Sequence, residues 1–255
     1  MLRTALIAIT ALVVSLMLPG VTTAQAPPDP CLLIFEAEEA TIVGTDGNDR
    51  ILGTDGPDVI LAGAGNDFVA GLGGDDQICG GEGDDRLDAG TGNDFVIGDT
   101  AESILLGFPG GMNVPGGRDH ILGGGGDDQL FGEGGADVMS AGAGDDFATG
   151  QMDKDHVEGD AGDDALFGGP ADDLVRGGEG GDDLVGNFGS DVLLGGEGDD
   201  RLLGDNPPPP VPLPNPPPEE PSHDVCNGQR GTDFAVVGTC EQENQIELIG
   251  PFPEG

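Results

Sequence analysis

Residues 44–97 divide into six nonapeptides: GTDGNDRIL, GTDGPDVIL, AGAGNDFVA, GLGGDDQIC, GGEGDDRLD and AGTGNDFVI. After an insertion at 98–113 (GDTAESILLGFPGGMN) the period resumes at Val114 and runs to Leu203. The later copies are VPGGRDHIL, GGGGDDQLF, GEGGADVMS, AGAGDDFAT, GQMDKDHVE, GDAGDDALF, GGPADDLVR, GGEGGDDLV, GNFGSDVLL and GGEGDDRLL. Six copies precede the insertion and ten follow it, sixteen in all. The sixth position is Asp in every copy: Asp49, Asp58, Asp67, Asp76, Asp85, Asp94, Asp119, Asp128, Asp137, Asp146, Asp155, Asp164, Asp173, Asp182, Asp191 and Asp200. The fourth is Gly in all but two, where Asp153 and Ala171 stand, and the eighth is aliphatic or Met in all but Ala148. A disordered tract has no reason to hold three positions in register over sixteen copies.

Each position has a physical reading. Gly at positions one and four allows positive φ and a close approach of backbone to a ligand. Positions seven to nine form a very short strand whose middle residue faces the opposite way from its neighbours. With the eighth residue inward, the core is a thin column of Ile, Leu and Val, and a unit this small is stable only when copies stack. That accounts for a chain of 255 residues with no Trp, no Tyr and 10 Phe. The sixth-position Asp sits where a tight turn meets the strand, and position five is Asp or Asn in ten copies, among them Asn48, Asp84, Asp127 and Asp199. Turn carbonyls with carboxylates make an all-oxygen site, which suits a hard cation such as calcium rather than zinc or copper. No EF-hand loop with its closing Glu is present.

The pattern Gly-Gly-x-Gly-x-Asp-x-U-x, with U a large apolar residue, resembles the hemolysin-type calcium-binding repeat of repeats-in-toxin (RTX) proteins. The resemblance implies an all-β fold: a parallel β-roll, or β-solenoid, with two repeats per turn of eighteen residues. It also implies calcium held between windings, shared by repeat n and repeat n+2. The implied ligands are the sixteen sixth-position Asp side chains and turn carbonyls, giving at most about fourteen ions. Lys154 in one copy, and Pro170 with Ala171 in another, are expected to weaken their sites.

Charge points the same way. The chain carries 49 Asp+Glu against 8 Lys+Arg, a formal net charge of −41. Residues 44–203 hold 36 acidic and 6 basic residues, a net of −30, and fourteen divalent ions would nearly cancel it. Metal-free repeats are therefore expected to repel one another, so that binding and folding are coupled. So few basic residues exclude nucleic acid as a partner.

Residues 1–26 read as a secretory signal, with Arg3, the apolar run Ala5–Leu18 and an Ala24-Gln25-Ala26 cleavage site. The run is too short to span a bilayer, so the expectation is a secreted, extracellular chain with no membrane span. Residues 27–43 then form an N-terminal cap segment, 44–204 the roll, 205–221 a stiff Pro-rich linker, and 222–255 a disulfide-closed module with a degenerate repeat at Gly228–Val236. Four cysteines in an exported chain suggest two disulfides, with Cys226–Cys240 and Cys31–Cys79 favoured among three pairings. His120, His156 and His223 are too scattered for a zinc site.

No metalloprotease helix, nucleophile elbow or phosphate loop occurs, so no catalytic residues are assigned and the chain is read as non-enzymatic. Two other roles stay open: an adhesion or matrix protein binding anionic polysaccharide or another protein, and an accessory part of a secreted hydrolase or epimerase. Even-numbered repeats end in Leu61, Cys79, Ile97, Phe131, Thr149, Phe167, Val185 and Leu203, and odd ones in Leu52, Ala70, Asp88, Leu122, Ser140, Glu158, Arg176 and Leu194. One outer face is thus expected to be the more apolar. It would be covered by the chain's own segments or used for partners or self-association.

Overall fold

The computed structural model describes residues 40–99, 116–205, 225–230, 234–236, 242–244 and 247–249. The signal segment, most of the cap segment, the body of the insertion and the Pro-rich linker beyond Asp205 lie outside the described residues, as do Cys31, His223 and Cys240.

Each nonapeptide is too short for more than one turn and one strand, and the described residues contain strands and turns but no helix. Strands run from β1 (Ile42–Val43) to β21 (Glu247–Ile249) and alternate between two sheets. The odd-numbered strands make an 11-stranded sheet and the even-numbered strands a 10-stranded one. Every pairing within each sheet is parallel. Successive windings pair eighteen residues apart, as Ile60 does with Ile78. The result is a β-solenoid of about 8 turns, a parallel β-roll.

The eighth-position residues form the interior. Ile60, Val69, Ile78, Leu87, Val96, Ile121, Leu130, Val157, Leu166, Val175, Leu184, Leu193 and Leu202 are all fully buried in one continuous cluster, and Ala148 keeps its place in it. Stacking identical positions aligns like with like, so a single apolar residue per repeat suffices for a core one side chain thick.

The insertion leaves the stack intact. β6 (Arg86–Thr91) pairs with β8 (His120–Gly125), and β7 (Phe95–Ile97) with β9 (Gln129–Glu133), 34 residues apart. Beyond the Pro-rich stretch, β18 (Val225–Arg230) lies beside β16 (Val192–Glu197), with Cys226 opposite Leu193 and buried in the central cluster. β19 (Phe234–Val236) lies beside β17 (Arg201–Asp205). The strands of the C-terminal segment thus add to the same two sheets.

The two outer faces differ. On the 11-stranded sheet Val59, Leu61, Cys79 and Ile97 point away from the core yet are buried in a second cluster, with Ala40, Phe95 and Phe131 packed against it. Farther along, Phe95, Phe131, Phe147 and Phe167 form a ladder with ring centroids 5.3–5.6 Å apart. The other sheet carries exposed Leu52 and pairs Glu158 with Arg176 at 3.9 Å.

Candidate metal centre

The six-residue turn of each repeat delivers its Asp to the first residue before the strand. The sixth-position Asp residues from Asp58 to Asp200 are all buried at 5% exposure or less, and Asp49 is half-buried. The two edges of the roll gather them into two columns. On one edge the amide N–H of Asp49 donates to Oδ1 of Asp67 (2.7 Å) and that of Asp67 to Asp85 (2.7 Å), and the series runs through Asp119, Asp137, Asp155 and Asp173 to Asp191. On the other edge the same bond links Asp58, Asp76, Asp94, Asp128, Asp146, Asp164, Asp182 and Asp200. Both columns cross the insertion unbroken, at 2.8 Å. From Asp67 and Asp76 onward, one oxygen of each carboxylate is thus used to hold its winding to the preceding one.

The second oxygen is different. Oδ2 of Asp67, Asp76, Asp85, Asp94, Asp119, Asp128, Asp137, Asp146, Asp155, Asp164, Asp173 and Asp182 is buried and has no hydrogen-bond partner. A buried acceptor left unmade costs about 1–3 kcal/mol, and more when charged; one per winding on each edge could not be sustained by so thin a core. The surroundings show what fits. A Cβ placed on Gly123 would lie 2.6 Å from Oδ2 of Asp128 and 2.5 Å from the carbonyl oxygen of Ala141, one winding on. On the other edge, a Cβ on Gly132 would lie 2.5 Å from Oδ2 of Asp137 and 2.7 Å from the carbonyl oxygen of Gly150. Carboxylate and carbonyl oxygens face one space with no donor between them, which is an arrangement for a cation. Among the described residues no three His, Cys, Asp or Glu side chains group closely enough to hold a metal. An ion here therefore depends on backbone carbonyls together with one or two carboxylates, a hard all-oxygen set.

Electrostatics sharpen the same demand. Burial, reinforced by neighbouring carboxylates, pushes Asp119 and Asp155 up to about 9 and Asp173 to about 8. Asp85, Asp128, Asp137 and Asp164 rise to about 7 for the same reason. These are acids whose folded values exceed their unfolded ones, so without metal the fold binds more protons than the unfolded chain between about pH 4 and 9. The contribution of these carboxyls to the stability of the metal-free roll is fully present below about pH 4 and is lost as pH rises through that window. A cation must then displace protons. Calorimetric titration with calcium at pH 7 is expected to give apparent heats that differ between PIPES and Tris in proportion to buffer ionisation enthalpy. Equal heats would show that no protons leave.

Other residues shape the two edges beside the sixth-position columns. A second ladder on one edge runs in the opposite sense: Asn93 N–H donates to Oδ1 of Asp75, Asp127 N–H to Asn93, Asp145 N–H to Asp127 and Asp163 N–H to Asp145, at 3.0–3.2 Å. The Asp/Asn preference at position five was its sequence signal. Asp99 and Glu133, outside the sixth position, are buried beside the column on the other edge, and Asp99 accepts from Gly117 N–H at 2.9 Å. In the irregular copies Asp153 and Ala171 adopt the left-handed φ that Gly normally supplies (69° and 107°), a strained choice for residues with a Cβ. Lys154 acts on Asp173, partly offsetting its rise.

Among curated proteins none matches the chain. The family described as the RTX calcium-binding nonapeptide repeat matches residues 43–78, 80–101, 116–148, 149–184 and 176–206, more than half of the sequence. With the period, the parallel roll and the Asp columns together, the chain belongs to the RTX calcium-binding nonapeptide repeat family.

Proposed function

We propose that this chain is a secreted, non-enzymatic calcium-binding protein whose roll folds as ions fill the two Asp columns. The observation that carries the reading is the row of buried, unpartnered Oδ2 atoms, which at Asp76, Asp85, Asp128, Asp137, Asp164 and Asp182 face a carbonyl oxygen of the next winding. Calcium is the cation whose ligand preferences fit, with oxygens at about 2.3–2.6 Å in flexible geometry. Aspartates from Asp67 to Asp200 on both edges would supply the carboxylates. Weak extracellular calcium modules bind at about 10⁻⁴–10⁻³ M, which matches the proposed destination.

Secretion is supported by the signal-like residues 1–26, and disulfides by the four cysteines of an exported chain. Buried Cys79 on the outer face and Cys226 in the core would then be tied to Cys31 and Cys240. Calorimetric calcium titration with stoichiometry tests the reading. The expected result is about ten or more ions per chain, as an oxygen site between successive windings requires; zero or one ion would refute it.

A further inference from the structure

Among the described residues the first winding is built differently from those that follow. Its two repeats, GTDGNDRIL and GTDGPDVIL, are the only ones with Thr at position two. In the regular repeats position two has positive φ, whether Gly (Gly63, Gly81, Gly142) or not (Leu72 at 83°, Asn187 at 79°), and Thr45 and Thr54 do not. A β-branched residue is a genuine outlier at positive φ, so residue type and backbone agree on a different turn. In that turn the Thr hydroxyl accepts from the N–H two residues on, at 3.3 Å from Gly47 and 3.2 Å from Gly56.

The consequence falls on the carboxylates. Oδ2 of Asp49 accepts from the backbone N–H of Thr45 (2.6 Å) and from its hydroxyl (2.8 Å). Oδ2 of Asp58 accepts from the N–H (2.7 Å) and hydroxyl (3.0 Å) of Thr54. Oδ1 of Asp58 has no earlier sixth-position Asp to bond, and the hydroxyl of Thr41 takes that role at 3.1 Å. Where later windings leave a buried oxygen bare, this one surrounds it with polarised hydrogens. A cation approaching Oδ2 of Asp58 would meet those hydrogens and would have to leave a turn N–H without its acceptor.

We infer that the first winding is a cation-independent cap: Thr41, Thr45 and Thr54 satisfy Asp49 and Asp58 in place of a metal, and neither Asp is a calcium ligand. The inference rests on the calcium reading of the later windings, and it removes two residues from the ligand set that the repeat pattern alone suggests.

A crystal structure of the full chain grown in calcium tests it. Oδ2 of Asp85 and Asp94 should each lie about 2.3–2.6 Å from an ion, while Oδ2 of Asp49 and Asp58 keep their Thr donors and touch none. An ion bound to Asp49 or Asp58 overturns the cap. Should no Asp carry an ion, the proposed function fails, and the cap is judged by its own variants. T45V/T54V removes the hydroxyls at nearly constant shape and should lower the thermal midpoint by about 2–4 °C per lost hydrogen bond. T45S/T54S should restore it, and excess calcium should not. A T45V/T54V protein that melts with the wild type, or is rescued by calcium, overturns the cap.

Discussion

In excess chelator the far-ultraviolet β signal of this protein is expected to collapse and its radius to increase substantially, with both restored by about millimolar calcium. Three terms drive the loss. Residues 44–203 carry a net of −30, and their sixth-position carboxylates stack one winding apart. The core offers little more than one apolar side chain per repeat, with a small second cluster on one outer face, to oppose that repulsion. Each unfilled site also leaves a buried oxygen bare, and the metal's binding free energy is folding free energy where no site preforms. Circular dichroism with and without chelator, followed by sedimentation, reads both changes. An unchanged spectrum at neutral pH would mean that the metal-free roll tolerates its charge, and the coupling of binding to folding would be wrong.

The second large effect is expected from a single methyl group. Gly123→Ala puts a Cβ 2.5 Å from the carbonyl oxygen of Ala141 and 2.6 Å from Oδ2 of Asp128, closer than packed atoms approach. Three repeats carry Ala at this position (Ala62, Ala89 and Ala141) with the methyl buried in the roll; at Gly123 the winding is closed down instead, and one oxygen belongs to the next winding's backbone and the other to the Asp column. The strain should cost about 1–3 kcal/mol, and the ion between the two oxygens should bind more weakly because the methyl crowds the space they face. Gly125→Ala, two residues on, is the matched control. Its Cβ would meet only the carbonyl oxygen of Ala143 at 4.0 Å, and its effect should stay within about 0.5 kcal/mol. Calcium affinity and thermal midpoint of the pair decide the matter; equal behaviour would remove the glycine cradle from the account.

The period of nine made the architecture legible, because a period forces equivalent residues into equivalent places. Leu130 and Leu184 sit in the core for the same reason, and the sixth-position Asp could only form columns once the windings stacked. Departures from the period were harder to read. Thr45 and Thr54 stand at a position that varies among the repeats, and nothing in one sequence says that a hydroxyl will turn back onto its own Asp. The Asp/Asn preference at position five was visible, but its hydrogen-bond direction depends on side-chain rotamers that no spacing encodes. Glu133 is concealed for a further reason: its neighbour Asp99 lies at the start of the insertion, outside the nonapeptide register. The continuation of both sheets by β18 and β19 was masked by the Pro-rich stretch, which breaks the count without breaking the stack.

The distinct first winding solves a problem that periodic proteins create for themselves. A stack of near-identical units can slip by eighteen residues and still bury Leu on Leu and Asp on Asp, so many alignments compete at nearly equal energy. A unit that cannot be exchanged for any other gives the stack an origin. Threonines that fit only the first turn, with Thr41 standing where no earlier Asp exists, make the slipped arrangements distinguishable from the native one. Uniqueness of fold in this chain would then come from its least typical repeats.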